Sequence, residues 1–182
     1  SPLPFENTFA LDPAETAAYV ESVHALKAQW KGKMDIYCGM EMDYIPGISD
    51  GFAAKQQEWG LDYVIGSVHL VLNETRDALW FTDGPSHLIY DDGLKILFGN
   101  DIRKAVGAYF NQILSMVSRE KFAIIGHFDK IRMHNKNRYF TEEEAWYRDW
   151  ILQCLHLLAE KGIILEINTR GIYKKRSETT FP

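Results

Sequence analysis

The sequence predicts an α/β fold around a parallel sheet, open or closed into a barrel, on three observations. Short apolar runs alternate with helix-length amphipathic segments; the runs are too short for helices and too continuously apolar for a sheet with one wet face; and no Gly/Ser linker, low-complexity tract or internal repeat breaks the alternation. With 182 residues and 46% hydrophobic composition, the chain is sized for one core, and residues 1–182 read as a single domain.

The first helix is expected through "LDPAETAAYVESVHALKAQW", with Asp12 as N-cap, Pro13 at the first helical position, Glu15 at the capping-box position and Ala17, Val20, Val23, Ala25 and Leu26 as its apolar stripe. "MDIYCGMEMDY" follows as a strand covered on both faces. Ser49 is placed to cap a short helix through "DGFAAKQQEWG", which Gly60 stops before the strand "LDYVIGSVH". Residues 70–100 mix turn residues with aromatics and read as a long loop with a short helix near 86–97. Asp101 to Arg119 has helical periodicity, with Ile102, Ala105, Val106, Tyr109, Ile113, Leu114 and Val117 on the buried side. "FAIIGH" is a short strand, and Thr141 with Glu144 forms a T-x-x-E signature opening a helix to about Lys161, stopped by Gly162. "IILEINT" is the last strand.

Four strands leave through polar residues: Glu41 and Asp43, then His69, then His127 and Asp129, then Glu166, Asn168 and Arg170. In a parallel barrel all carboxyl ends face one mouth, where such folds place their chemistry; in an open sheet only those beside a topological switch point meet. Imidazoles with a carboxylate suit Zn²⁺, Mn²⁺ or Fe²⁺, and a carboxylate has two oxygens with which to bridge ions. His24, His87 and His156 read as structural, and His134, in a loop at the same mouth, is not counted among the ligands.

The formal charge of −5 disfavours a general nucleic-acid binder, so an anionic ligand needs a local basic patch. Two are present: Lys130, Arg132, Lys136 and Arg138 follow "GHFD", and Arg170, Lys174, Lys175 and Arg176 follow "EINT". Arg132 and Arg170, nearest their strand ends, are the candidates for binding a phosphate monoester, because the guanidinium fork matches phosphate oxygens. The sequence has no GxSxG, Walker, GxGxxG or HExxH pattern, which removes the usual support for covalent serine hydrolysis, nucleotide-triphosphate hydrolysis and dinucleotide chemistry. Cys38 and Cys154 lack paired spacing and read as reduced, buried thiols in a cytoplasmic protein.

The segments "GMEMDYIPG", "LDYVIGSVH", "IIGHFDKIR" and "LEINTRGIYK", in that order, resemble the histidinol phosphatases of the PHP (polymerase and histidinol phosphatase) superfamily. The resemblance implies a distorted (β/α)7 TIM-like barrel, incomplete in this chain, with up to three divalent ions at the strand carboxyl ends. It implies Glu41 as a bridging carboxylate, His69 and His127 as its partners on one ion, and hydrolysis of L-histidinol phosphate in histidine biosynthesis. By position, Arg132 and Arg170 are assigned to the phosphoryl group, Asn168 to orienting water or a ligand, and Asp129 to supporting His127. The family's H-x-H, D-H and D-x-H motifs do not occur here, and "SPLPFENTF" and "SETTFP" read as cut ends, so the expectation is a larger domain and a doubtful activity for these residues alone. The alternatives are a PHP-type nuclease or polymerase-associated phosphoesterase, and a non-catalytic scaffold.

Overall fold

Strands β1 (Gly39–Asp43), β2 (Tyr63–Ser67), β5 (Ile124–Ile125) and β6 (Ile164–Leu165) lie side by side in that order, all parallel, in a computed structural model that describes residues 10–174 and 180. Lys175, Arg176 and the "SPLPFENTF" segment fall outside the described residues. The register aligns Asp43 with Ser67, Gly66 with Ile125 and Ile125 with Leu165, so all four strands end at one level. Parallel strands need crossovers, and helices supply them: α2 (Phe52–Trp59) between β1 and β2, α4 (Ile102–Arg119) before β5, and α6 (Ala145–Lys161) before β6. The sheet does not close on itself among the described residues.

Local sequence explains most boundaries. Asp101 caps α4 by accepting from the Arg103 and Lys104 N–H groups, each at 3.1 Å, and Gly60 and Gly162 end α2 and α6 in the left-handed conformation that a side chain disfavours. Helix α4 buries Ala105, Val106, Tyr109, Ile113 and Val117 as its apolar period predicts, adds Phe110 and Met116, and leaves Ile102 and Leu114 only partly buried. Its one buried polar residue, Gln112, is fully occupied: the amide donates to the Tyr44 and Leu70 carbonyls at 2.6 and 2.8 Å and accepts from Leu72 N–H at 3.1 Å.

Several expectations are corrected. Pro13–Glu15 forms a 3₁₀ turn, and α1 proper is Thr16–Gln29; Asp12 does cap this turn, accepting from Ala14 N–H, but Glu15 makes no capping-box bond. Only Val20 and Val23 of the predicted stripe are partly buried, and Leu26 is 46% exposed. Ser49 does not cap α2, because its hydroxyl is taken by the Asp43 carbonyl and by Ile45 N–H; the cap comes from the distant Glu120 carboxylate, which accepts from Gly51 and Phe52 N–H at 3.0 and 2.8 Å. The Glu144 carboxylate does reach back to Thr141 N–H, 3.0 Å, just ahead of α6. The segment expected as a loop contains the antiparallel hairpin β3 (Leu70–Leu72) and β4 (Leu79–Phe81), then α3 (His87–Phe98). Asn73 closes that hairpin with its side chain, accepting from Asp77 and Ala78 N–H. Trp80 and Tyr90 are fully buried against each other as packing residues. Both cysteines are free and buried, and no described helix is long and apolar enough to cross a membrane.

Candidate metal centre

Alternation along β1 sends Met42 into the core and Glu41 to the opposite face, level with Ile65 of β2 and Ile124 of β5. His69 follows β2, and His127 follows β5 in a tight turn where its own φ is +20°. Gly126 leaves room for the side chains on either side of it, since a Cβ there would lie 2.4 Å from Ser67 Oγ and 3.5 Å from Glu166 Oε2.

Three donor atoms converge. His69 Nε2 and His127 Nε2 are 3.3 Å apart, and Glu41 Oε1 lies 3.6 Å from the first and 3.4 Å from the second. Among the described residues this is the one group of three or more His, Cys, Asp or Glu side chains arranged so. Ligand atoms at metal-bond length from a tetrahedral ion are about 3.4 Å from one another, and three protein ligands leave a position open for water or substrate. The donor set and its spacing therefore fit a divalent ion.

The surroundings hold these donors in place. Ser67 Oγ donates to Glu41 Oε1 at 2.6 Å. Asp43 accepts from the His69 backbone N–H at 2.8 Å and stands 3.5 Å from His69 Nδ1, so the ring presents Nε2 to the centre. Glu166 Oε2 accepts from His127 N–H at 2.9 Å. The hydrogen bond with the His127 imidazole, helped by Ser67 and the His69 charge and opposed by burial, holds the Glu41 carboxyl at about 2. Burial pushes the His69 imidazole down, but the bond to Asp43 and the charges of Asp83, Asp43 and Glu41 outweigh it and raise the group to about 9.

The other predicted residues are placed differently. Asp129 does not support His127: its carboxylate is turned to Arg132, its Oδ1 is buried without a hydrogen-bond partner, and burial, opposed by Arg132, raises it to about 6. Arg132 is shared between Asp129 and Glu142 with its side chain 14% exposed, so it does not stand open to a ligand. Asn168 is engaged with Glu166 Oε1, 3.4 Å, and with Arg170 N–H, 3.0 Å. Arg170 opens the short helix α7 (Arg170–Tyr173) and is exposed. One residue escaped the sequence reading, Asp83, whose Oδ2 is 3.8 Å from His69 Nε2; Lys130, named there only as part of the basic patch, is buried and 3.9 Å from the same oxygen. No motif marks Asp83. The i, i+3 spacing of Asp129 and Arg132 was, by contrast, a readable sign of their pairing.

The PHP domain family matches residues 10–170. The chain belongs to that family. It is 26% identical over 164 residues to the "Probable histidinol-phosphatase" of Deinococcus radiodurans, covering 88% of this chain and 54% of the relative. It is 25% identical over 179 residues to the histidinol-phosphatase of Bacillus subtilis, covering 95% and 64%. A candidate histidinol phosphatase from Listeria monocytogenes shares the fold with a TM-score of 0.79 at 20% identity, over 96% of this chain and 66% of that one. The histidinol phosphate phosphatase of Lactococcus lactis, solved with zinc, L-histidinol and phosphate, gives 0.53 at 23% identity, over 92% and 58%. The fold is thus the TIM-like α/β fold of PHP proteins, and the chain spans less than two thirds of each of these relatives' own length.

Proposed function

We propose that this chain carries the metal-binding face of a phosphomonoesterase that converts L-histidinol phosphate to L-histidinol and phosphate, with residues 1–182 as one PHP domain acting in the cytoplasm on a small molecule. The observation that carries this reading is the meeting of Glu41, His69 and His127 at tetrahedral ligand spacing on the carboxyl ends of three parallel strands. The names of the relatives support the substrate, and the zinc in the Lactococcus lactis structure supports a divalent ion; manganese and iron(II) suit the same donors.

The chemistry that a bound divalent ion supplies is polarisation of the phosphoryl oxygens and a lowered pKa for water. The protein's own part is positional. Glu41 stays ionised at neutral pH and is fixed by Ser67, Asp43 sets the ring of His69, and Glu166 pins the backbone of His127. Arg170, exposed in the segment after β6, is an arginine available to phosphoryl oxygens, whereas Arg132 would first have to leave two carboxylates.

The test is phosphate release from L-histidinol phosphate in the presence of added Zn²⁺, Mn²⁺ or Fe²⁺, beside degradation of single-stranded DNA under the same conditions. Metal-dependent release that a chelator abolishes, with DNA left intact, is the expected result. Degraded DNA with no phosphate released would make the chain a nuclease, and neither activity with no bound metal would make it a scaffold.

A further inference from the structure

Away from the three metal-facing side chains, an open cleft of about 480 Å³ runs between residues 84–87, which lead into α3, and the short helix α5 (Arg132–Asn135) with the residues after it. Its two walls are bonded to each other. His134 Nε2 donates to the Gly84 carbonyl at 2.7 Å, both terminal nitrogens of Arg138 hold the carboxylate of Asp91 on α3 at 2.8 Å, and the Tyr139 hydroxyl donates to the same carboxylate at 3.0 Å. A cleft tied in this way is formed before any ligand arrives, so binding costs little ordering of the protein.

The lining carries charge of one sign. In a chain of net charge −5, none of the residues that line the cleft is acidic, while His87, His134, Lys136 and Arg138 all do so. Two of these four are already occupied. Arg138 is taken up by Asp91 and by the His134 and Asn135 carbonyls; His134 spends its ring N–H on Gly84, and burial pushes its pKa down, which keeps it neutral near pH 7. Lys136 is different: it is exposed, it sits at the left-handed residue that ends α5 (φ +46°), and its ammonium is on the cleft lining. The amino end of α3 lines the opposite wall through Ser86 and His87, and no acidic residue in its first turn offsets the partial positive charge there. Pro85 and Met133 add apolar surface.

We propose that this cleft is a second ligand site, separate from the metal centre, for a small organic carboxylate. Lys136 pairs with the carboxylate, the amino end of α3 adds its field, and the body of the ligand lies against Pro85 and Met133. The volume is that of a small-molecule site and leaves room for such a body, whereas a bare inorganic ion would leave the apolar wall uncovered. A neutral molecule of the same shape gains nothing from the ammonium or from the helix. The inference does not depend on the phosphomonoesterase reading.

The test is titration of the full chain, followed by NMR, with benzoate and with benzamide, which keeps the ring and lacks the charge. The unaltered protein should bind benzoate about tenfold more tightly than benzamide. Lys136→Gln should bring the two within about threefold of each other, and Lys136→Arg should retain the preference. Glu41→Ala, which breaks the metal centre, should bind benzoate within about twofold of the unaltered protein. Equal binding of the two probes by the unaltered protein, a comparison that needs no variant to fold, would overturn the assignment, as would no benzoate binding at all or a preference that survives Lys136→Gln. Benzoate binding that disappears in folded Glu41→Ala would place the anion on the metal and overturn it too.

Discussion

At the mouth of the sheet, Glu41, His69 and His127 face one another across 3.3–3.6 Å, with the carboxylates of Asp43, Asp83 and Glu166 placed around them. Where α4 meets α6, the contacts are of another kind: Phe110 stands edge-on to Tyr147 and stacked on Trp150, ring centroids 5.7 and 6.0 Å away, with Phe110 completely buried. The aromatic layer draws its energy from area removed from water, which any folded state must provide. Groups at the mouth are held against one another at the expense of desolvation and like charge, and gain most when something binds them. Stability and ligand affinity should therefore separate cleanly between the two regions.

The largest expected effect breaks that comparison if it fails. Glu41→Ala removes one of three donors and should abolish stoichiometric divalent metal, read by elemental analysis of the purified protein, while circular dichroism shows the fold retained. Phe110→Ala should do the reverse, costing about 3–5 kcal/mol in urea unfolding with metal content unchanged. Metal retained in Glu41→Ala, or lost in Phe110→Ala while that variant is still folded, would mean that the two regions are not energetically distinct.

A smaller effect sharpens the picture inside the mouth. Asp43 touches the metal-facing triad only through His69, where it fixes the backbone N–H and faces Nδ1. Asp43→Asn should weaken zinc affinity by about 10- to 100-fold, the usual range for residues that orient a histidine ligand, without abolishing binding. An affinity within about twofold of the unaltered protein would show that the ring is held by packing alone.

The two regions also differ in how far the sequence revealed them. Helix α4 was legible because its apolar period, the Asp101 cap and the absence of breakers are local signals that agree, and Gly162 marked the end of α6 in the same way, whereas its start lies at Ala145 rather than after Thr141. The strand ends were legible because each short apolar run stops at an acid or a histidine. Lost from view were pairings between residues far apart in the chain: Glu120 capping α2 from 68 residues away, Glu142 drawing off Arg132, and Asp83 meeting His69 through a hairpin of three-residue strands. None has a period or a motif. The basic cluster after β5 misled for that reason, since Arg132 and Arg138 are both committed to carboxylates, Arg138 to Asp91 at 2.8 Å, while the exposed Arg170 after β6 looked no different in the sequence.

The mouth should also announce itself through pH, with a modest effect of opposite sign in the metal-free and metal-loaded protein. His69 rises from an ordinary 6.5 to about 9 because carboxylates surround it. In the metal-free protein the folded pKa exceeds the unfolded one, so the stabilisation is complete below 6.5 and is lost as pH climbs through about 9; urea midpoints should fall across that window. A cation on Nε2 must displace the same proton, so metal affinity should rise by about tenfold per pH unit until near pH 9, then flatten. Glu41, held at about 2, contributes no proton to either curve over this range. Titration of metal binding between pH 6 and pH 10 by competition with a chromophoric chelator measures this directly. A plateau already at pH 7 would show that the imidazole is neutral there, and that the carboxylates around it act on the ring's orientation rather than on its charge.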